Sequence, residues 1–165
     1  MEIIFNSIIV LLIVFVIAAI INGVEDYIRN ERLLISFKES MSAVNVPVIT
    51  LENNGKSLNF LIDTGADYSY LDINAVEGLV GRKTTKNKIN IVTGGGDMTS
   101  YGNVTLCVNY GKHTFENTFV IADLTNQFKA AFKDNIVIHG VLGTTFLKKY
   151  KYKLDFDDLS LHMKK

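Results

Sequence analysis

The sequence predicts an all-β domain, a closed antiparallel β barrel with one or two short helices, preceded by a single transmembrane helix. Two observations carry that expectation. From residue 44 onward, short runs rich in β-favouring residues alternate with Gly-, Asn- and Asp-bearing turns, as in chains of many short strands. Before them, residues 3–21 are apolar except for Asn6 and Ser7. At about 1.5 Å per residue such a helix is about 29 Å long, close to the thickness of a bilayer core.

The elements follow in chain order. Residues 1–23 read as an anchor: no Lys or Arg precedes the apolar run and Ala18-Ala19 lies inside it, unlike a cleavable signal peptide. Membrane lipid around residues 3–21 is therefore an expected partner. Arg29, Arg32 and Lys38 follow the span, so the positive-inside rule places the following domain in the cytoplasm. Residues 24–43 read as a juxtamembrane helix and linker, and residues 44–165 as one domain, long enough to bury a core. Val46–Leu51 and Leu58–Ile62 form a hairpin whose Asn54-Gly55 pair supplies positive φ. Tyr68–Leu71 reads as a strand, and Asp72–Leu79 as a short helix capped by Asp72. Ile89–Thr93, the tip Gly94-Gly95-Gly96 and a strand returning to Val108 make a long hairpin. A further strand lies within Tyr110–Ile121, a short helix or loop within Leu124–Phe132, a strand at Ile136–Ile138, a helix after Gly143, and a closing hairpin from Leu154 to His162.

The chemistry concentrates in Phe60-Leu61-Ile62-Asp63-Thr64-Gly65-Ala66. An apolar strand ends in an Asp that enters a Thr-Gly-Ala turn, where Gly lets the backbone approach the carboxylate closely. An ordinary Asx-turn uses the same residue types. Downstream, Ile136-Val137-Ile138-His139-Gly140-Val141-Leu142-Gly143 runs from apolar residues through two glycines into Thr144-Thr145-Phe146-Leu147.

Taken together, the two segments resemble the retropepsin family, single-domain aspartic proteases of retroviral type and their cellular relatives, over roughly residues 44–163. The resemblance implies an aspartic endopeptidase that hydrolyses peptide bonds, and the apolar run at residues 3–21 makes it a membrane-anchored one. Its catalytic residues would be Asp63, Thr64 and Gly65; Ala66, Asp67, the flap glycines Gly94, Gly95 and Gly96, and Val141 and Leu142 would bind substrate. One such turn per chain implies a homodimer with the site on its two-fold axis. Thr144 and Thr145 stand where retroviral members carry an Arg and an Asp or Asn, so the subunit contacts must differ. A catalytically inactive peptide-binding or dimerisation module of the same fold, and a small-molecule-binding barrel, are the alternatives.

Composition narrows the classes. Seventeen basic residues balance seventeen acidic ones, which argues against a nucleic-acid partner. The lone Cys107 can form no intrachain disulfide and reads as a buried thiol. His113, His139 and His162 show no metal-ligand spacing with Cys107 or the carboxylates, so no metal and no cofactor are expected. The Gly-rich tip lacks the Lys-Ser/Thr of a phosphate loop.

Overall fold

The computed structural model describes residues 11–22, 32–84, 89–93, 96–132 and 136–164. Helix α1 covers residues 11–22, and its apolar side chains are exposed, among them Leu11, Phe15 and Ile21. The twelve described residues account for about 18 Å of rise, against about 30 Å of hydrocarbon core. Among the described residues no helix is long and apolar enough to cross a membrane. The expected single-pass anchor and the cytoplasmic placement derived from it are corrected accordingly; residues 1–10 lie outside the described residues.

Within segment 24–43, expected as a helix and linker, the described residues 32–43 contain a strand and a helix. Residues 23–31 lie outside the described residues, but Arg32–Ser36 is strand β1 and Lys38–Val44 is helix α2. β1 pairs antiparallel with the last strand, β11 (Ser160–Lys164), which in turn pairs with β10 (Lys153–Asp155). Ile35 and Phe37 enter the main core, each 1% exposed. The polar Ser40 is buried because its hydroxyl donates to the Phe37 and Val48 carbonyls and accepts the Val48 N–H at 2.9 Å, satisfying a group that would otherwise cost stability.

The barrel begins with β2 (Val48–Asn53) and β3 (Lys56–Ile62), joined through Asn54 and Gly55 at φ 50° and 79°, the left-handed pair expected of an Asn-Gly hairpin. β4 (Ser69–Asp72) leads into a 3-10 turn, Ile73–Ala75, capped by the Asp72 carboxylate accepting the Asn74 N–H. β5 (Gly81–Thr84), β6 (Ile89–Thr93), β7 (Gly96–Tyr110) and β8 (His113–Ala122) follow, then helix α3 (Thr125–Phe132), β9 (Gly140–Leu142) and helix α4 (Thr144–Lys149).

The sheet order is β2-β3-β9-β4-β8-β7, and a β2–β7 pairing at Glu52 and Asn109 closes it into a six-stranded barrel; β5 and β6 extend from β7. The barrel is not wholly antiparallel as expected. β3 runs parallel to β9, which arrives late in the chain and inserts between β3 and β4, and on its other edge β4 runs parallel to β8.

Alternation along β3 and β8 turns Leu58, Phe60, Phe115 and Phe119 inward, as the two-residue strand period requires. Phe60 stacks on Phe119 with ring centroids 5.3 Å apart. α4 closes the same core with Phe146 and Leu147, both fully buried. Cys107 corrects the buried-thiol expectation: it lies between the buried Leu106 and Val108 on β7 and is therefore exposed on the other face.

Candidate active site

β3 delivers Asp63 and β9 fixes where it stops. The pairs Phe60–Gly140, Leu61–Val141 and Ile62–Leu142 run in register, and the Asp63 N–H continues them by donating to the Leu142 carbonyl at 3.2 Å. Beyond that bond the chain turns. The Ala66 N–H donates to the Asp63 carbonyl at 3.4 Å, and the Gly65 N–H donates to Asp63 Oδ1 at 2.8 Å. Asp63 and Ala66 are half-buried, while Thr64, Gly65 and Asp67 are exposed. A carboxylate is thus oriented by a backbone donor on a surface turn.

The start of α4 clamps that turn from behind. The Thr144 N–H donates to the Ala66 carbonyl at 2.8 Å and the Thr145 N–H to the Asp67 carbonyl at 3.1 Å. The Thr144 hydroxyl lies 3.2 Å from both carbonyls, and the Gly143 N–H donates to the hydroxyl of the fully buried Ser69 at 3.2 Å. A Cβ on Gly143 would strike the Tyr68 and Ala66 carbonyl oxygens, and one on Gly140 would strike the Tyr70 carbonyl. Both glycines are there because neighbouring backbone passes too close for any side chain.

The predicted site residues divide. Asp63, Thr64, Gly65, Ala66 and Asp67 form one turn. Gly96 is the first residue of β7, paired with Thr93; Gly94 and Gly95 lie outside the described residues. Leu142 is 0% exposed in the main core, and at the turn it presents its carbonyl. Val141 is 7% exposed, on the opposite face of β9. The supports Ser69 and Thr144 escape sequence reasoning. Thr144-Thr145 stands out there only as a departure in residue type, and a main-chain clamp leaves no residue-type signature, although Gly143 is visible as a Gly before a helix.

Beside the turn, a groove of about 760 Å³ is lined by Tyr68, Tyr70, Asn103, Asn117, Val120 and Thr145, among others. Tyr70 is held above its ordinary value of 10.0 by burial first, then by the negative charge of Asp67 and by Tyr68. Asn117 is 7% exposed and its Nδ2 has no hydrogen-bond partner among the described residues.

The sequence matches the profile of the aspartyl protease family over residues 48–146, more than half of the chain. The chain belongs to that family, and the matched span runs from the first barrel strand into α4. Among solved structures, the retroviral protease-like domain of Ddi1 from Leishmania major aligns with a TM-score of 0.51 at 16% identity, covering 69% of this chain and 84% of that one. A retropepsin-like aspartic protease from Rickettsia conorii gives 0.49 at 19% identity over 79% of this chain and 97% of its own. The EIAV protease gives 0.44 at 22% identity over 63% and 86%. The Leishmania likeness establishes the fold and carries nothing about activity. No curated protein matches the chain.

Proposed function

We propose that the chain is an aspartic endopeptidase whose catalytic dyad is two copies of Asp63, one from each subunit of a homodimer. The observation that carries this reading is the Asp63 turn itself, which holds a single carboxylate at the surface with the Gly65 N–H on Oδ1. Only one Asp-Thr-Gly turn occurs in the sequence, so the partner carboxylate has to come from a second chain across a two-fold axis.

Two carboxylates brought together cannot both ionise readily, and the pair shares one proton, the behaviour known of aspartic-protease dyads in general. The ionised Asp63 takes a proton from a water as its oxygen attacks the peptide carbonyl carbon. The protonated mate donates to the carbonyl oxygen, so the tetrahedral diol forms uncharged while the dyad still holds one proton. Collapse breaks the C–N bond as the leaving nitrogen is protonated. Thr64 and Gly65 keep the two turns in register, and the β6–β7 hairpin closes over the peptide. Peptide or protein is the substrate class, and Ala66, Asp67 and the groove under Tyr68 and Tyr70 are its binding surface.

The test is incubation of the whole chain and of Asp63→Asn with a diverse peptide mixture, read by mass spectrometry over acidic to neutral pH. Cleavage by the parent alone, with specific activity rising with protein concentration, supports the proposal. Equal cleavage by both proteins, or none by a folded dimer, refutes it.

A further inference from the structure

Four residues before Asp63, the parallel β3–β9 seam is fastened by a histidine outside the predicted site. The His139 N–H donates to the Asn59 carbonyl at 2.8 Å, and the Asn59 N–H donates to His139 Nδ1 at 2.9 Å. A backbone N–H can only donate, so Nδ1 is the acceptor and the ring is neutral with its proton on Nε2. The Asn59 side chain locks the same point: Nδ2 donates to the Val137 carbonyl at 2.8 Å and Oδ1 accepts the Thr50 hydroxyl at 2.8 Å. The His139 carbonyl accepts the Asp72 N–H at 2.8 Å, which ties in the end of β4. One histidine therefore joins the two strands that flank the active-site turn. From that point the seam runs in register to the last bond, Asp63 N–H to Leu142 carbonyl.

We propose that His139 is a positioning residue for Asp63, holding the β3–β9 seam closed as a neutral imidazole and loosening it when protonated. The inference rests on the reading of Asp63 as catalytic for its functional consequence, but not for the linkage itself. Protonation puts N–H on both ring nitrogens, so Nδ1 can no longer accept, and the Asn59 amide is left facing a donor. The charged groups acting on the ring are Lys56 from β3 and Asp72 from the end of β4, whose carboxylate already accepts the Asn74 and Leu124 N–H groups. Burial holds His139 below its ordinary value of 6.5; Lys56 adds to the shift and Asp72 opposes it. The unfolded chain therefore binds this proton first as pH falls. The stabilising contribution is complete above the ordinary value and is lost as pH drops from there toward the folded value. Acid weakens the very seam that presents the carboxylate.

The test reads the seam without relying on catalysis. In the whole chain, the histidine ring resonances give the His139 tautomer and titration by NMR, and hydrogen exchange gives the protection of the Asn59 and Asp63 amides at about pH 7 and about pH 5, around the histidine range. The expected result is a neutral Nε2–H ring at the higher pH, with both amides losing protection about tenfold as the ring protonates, one hydrogen bond's worth. In His139→Gln, which cannot titrate, that loss disappears, and the acid limb of any peptidase activity moves to lower pH. A ring protonated on Nδ1 at about pH 7, in the neutral histidine range, or an Asp63 amide indifferent to His139 protonation, overturns the proposal even if His139→Gln does not fold. An unchanged acid limb in a folded, active His139→Gln also overturns it. A chain with the expected exchange linkage and no peptidase activity sinks the catalytic reading of Asp63 and leaves the seam mechanism standing.

Discussion

Gly143→Ala is the sharpest structural perturbation of the site. The added Cβ meets three backbone atoms, the carbonyl oxygen and carbon of Tyr68 and the carbonyl oxygen of Ala66, and none is the flexible end of a side chain. β9 is held between β3 and β4, so the strain has to be taken up by moving α4 or the Asp63 turn. Overpacking of this kind costs about 1–3 kcal/mol. The displacement also breaks or stretches the bonds from Gly143 N–H to Ser69 and from Thr144 N–H to Ala66, at about 1 kcal/mol each. The sum is a destabilisation of about 3–5 kcal/mol, which for a domain of this size lowers Tm by about 10–20 °C. Thermal and urea denaturation measure it, with Gly78→Ala as the comparison: Gly78 has φ +77° and nothing within 4 Å of a Cβ, so that variant loses only about 1–2 kcal/mol of stability, to left-handed backbone strain. A Gly143→Ala protein as stable as Gly78→Ala, or more so, refutes the argument that this glycine is required by close backbone approach.

Other consequences are open to test. Tyr70 should titrate above 10.0 in a spectrophotometric titration, and Asp67→Asn should bring it down; because the folded form holds its proton longer than the unfolded one, this contribution to stability is lost as pH rises from that value toward the folded one. Ala66→Ser adds a hydroxyl at the turn that can donate to the charged carboxylate, so activity should extend to lower pH, and an unchanged pH–rate profile counts against that. Thr144→Val keeps the side-chain shape but removes the hydroxyl shared by the Ala66 and Asp67 carbonyls; it should cost about 1 kcal/mol in denaturation, with no loss if the main-chain bonds suffice.

Local chemistry is legible in the sequence where residue type dictates backbone. Asn54-Gly55 predicts its hairpin because both positions need positive φ, and Asp72 predicts its cap because a short carboxylate reaches the next turn's N–H. Long-range pairing leaves no such mark. Arg32–Ser36 reads as part of a juxtamembrane helix and linker, yet it pairs with Lys164–Ser160, and Ser40 is buried only because Val48 folds against it. Ile136–Ile138 has strand composition, but the paired strand begins at Gly140, where close approach of the Tyr70 backbone and the Phe60 ring selects glycine over a β-branched residue. Cys107 departs from the usual burial of free thiols because the strand period decides its face: with Leu106 and Val108 turned inward, the residue between them points out. At the site, the Asp63 turn is readable, while the supports from Ser69, Thr144 and His139 depend on which strands meet.

In the proposed dimer two chains share one active site through Asp63. The direct test titrates the active chain, at fixed concentration, with its Asp63→Asn counterpart under conditions of subunit exchange. A shared dyad predicts that activity falls to about one half at one equivalent and toward zero in excess, as mixed dimers sequester the parent chain. Activity that stays constant while mixed dimers demonstrably form would contradict the account and place the whole catalytic machinery within one chain.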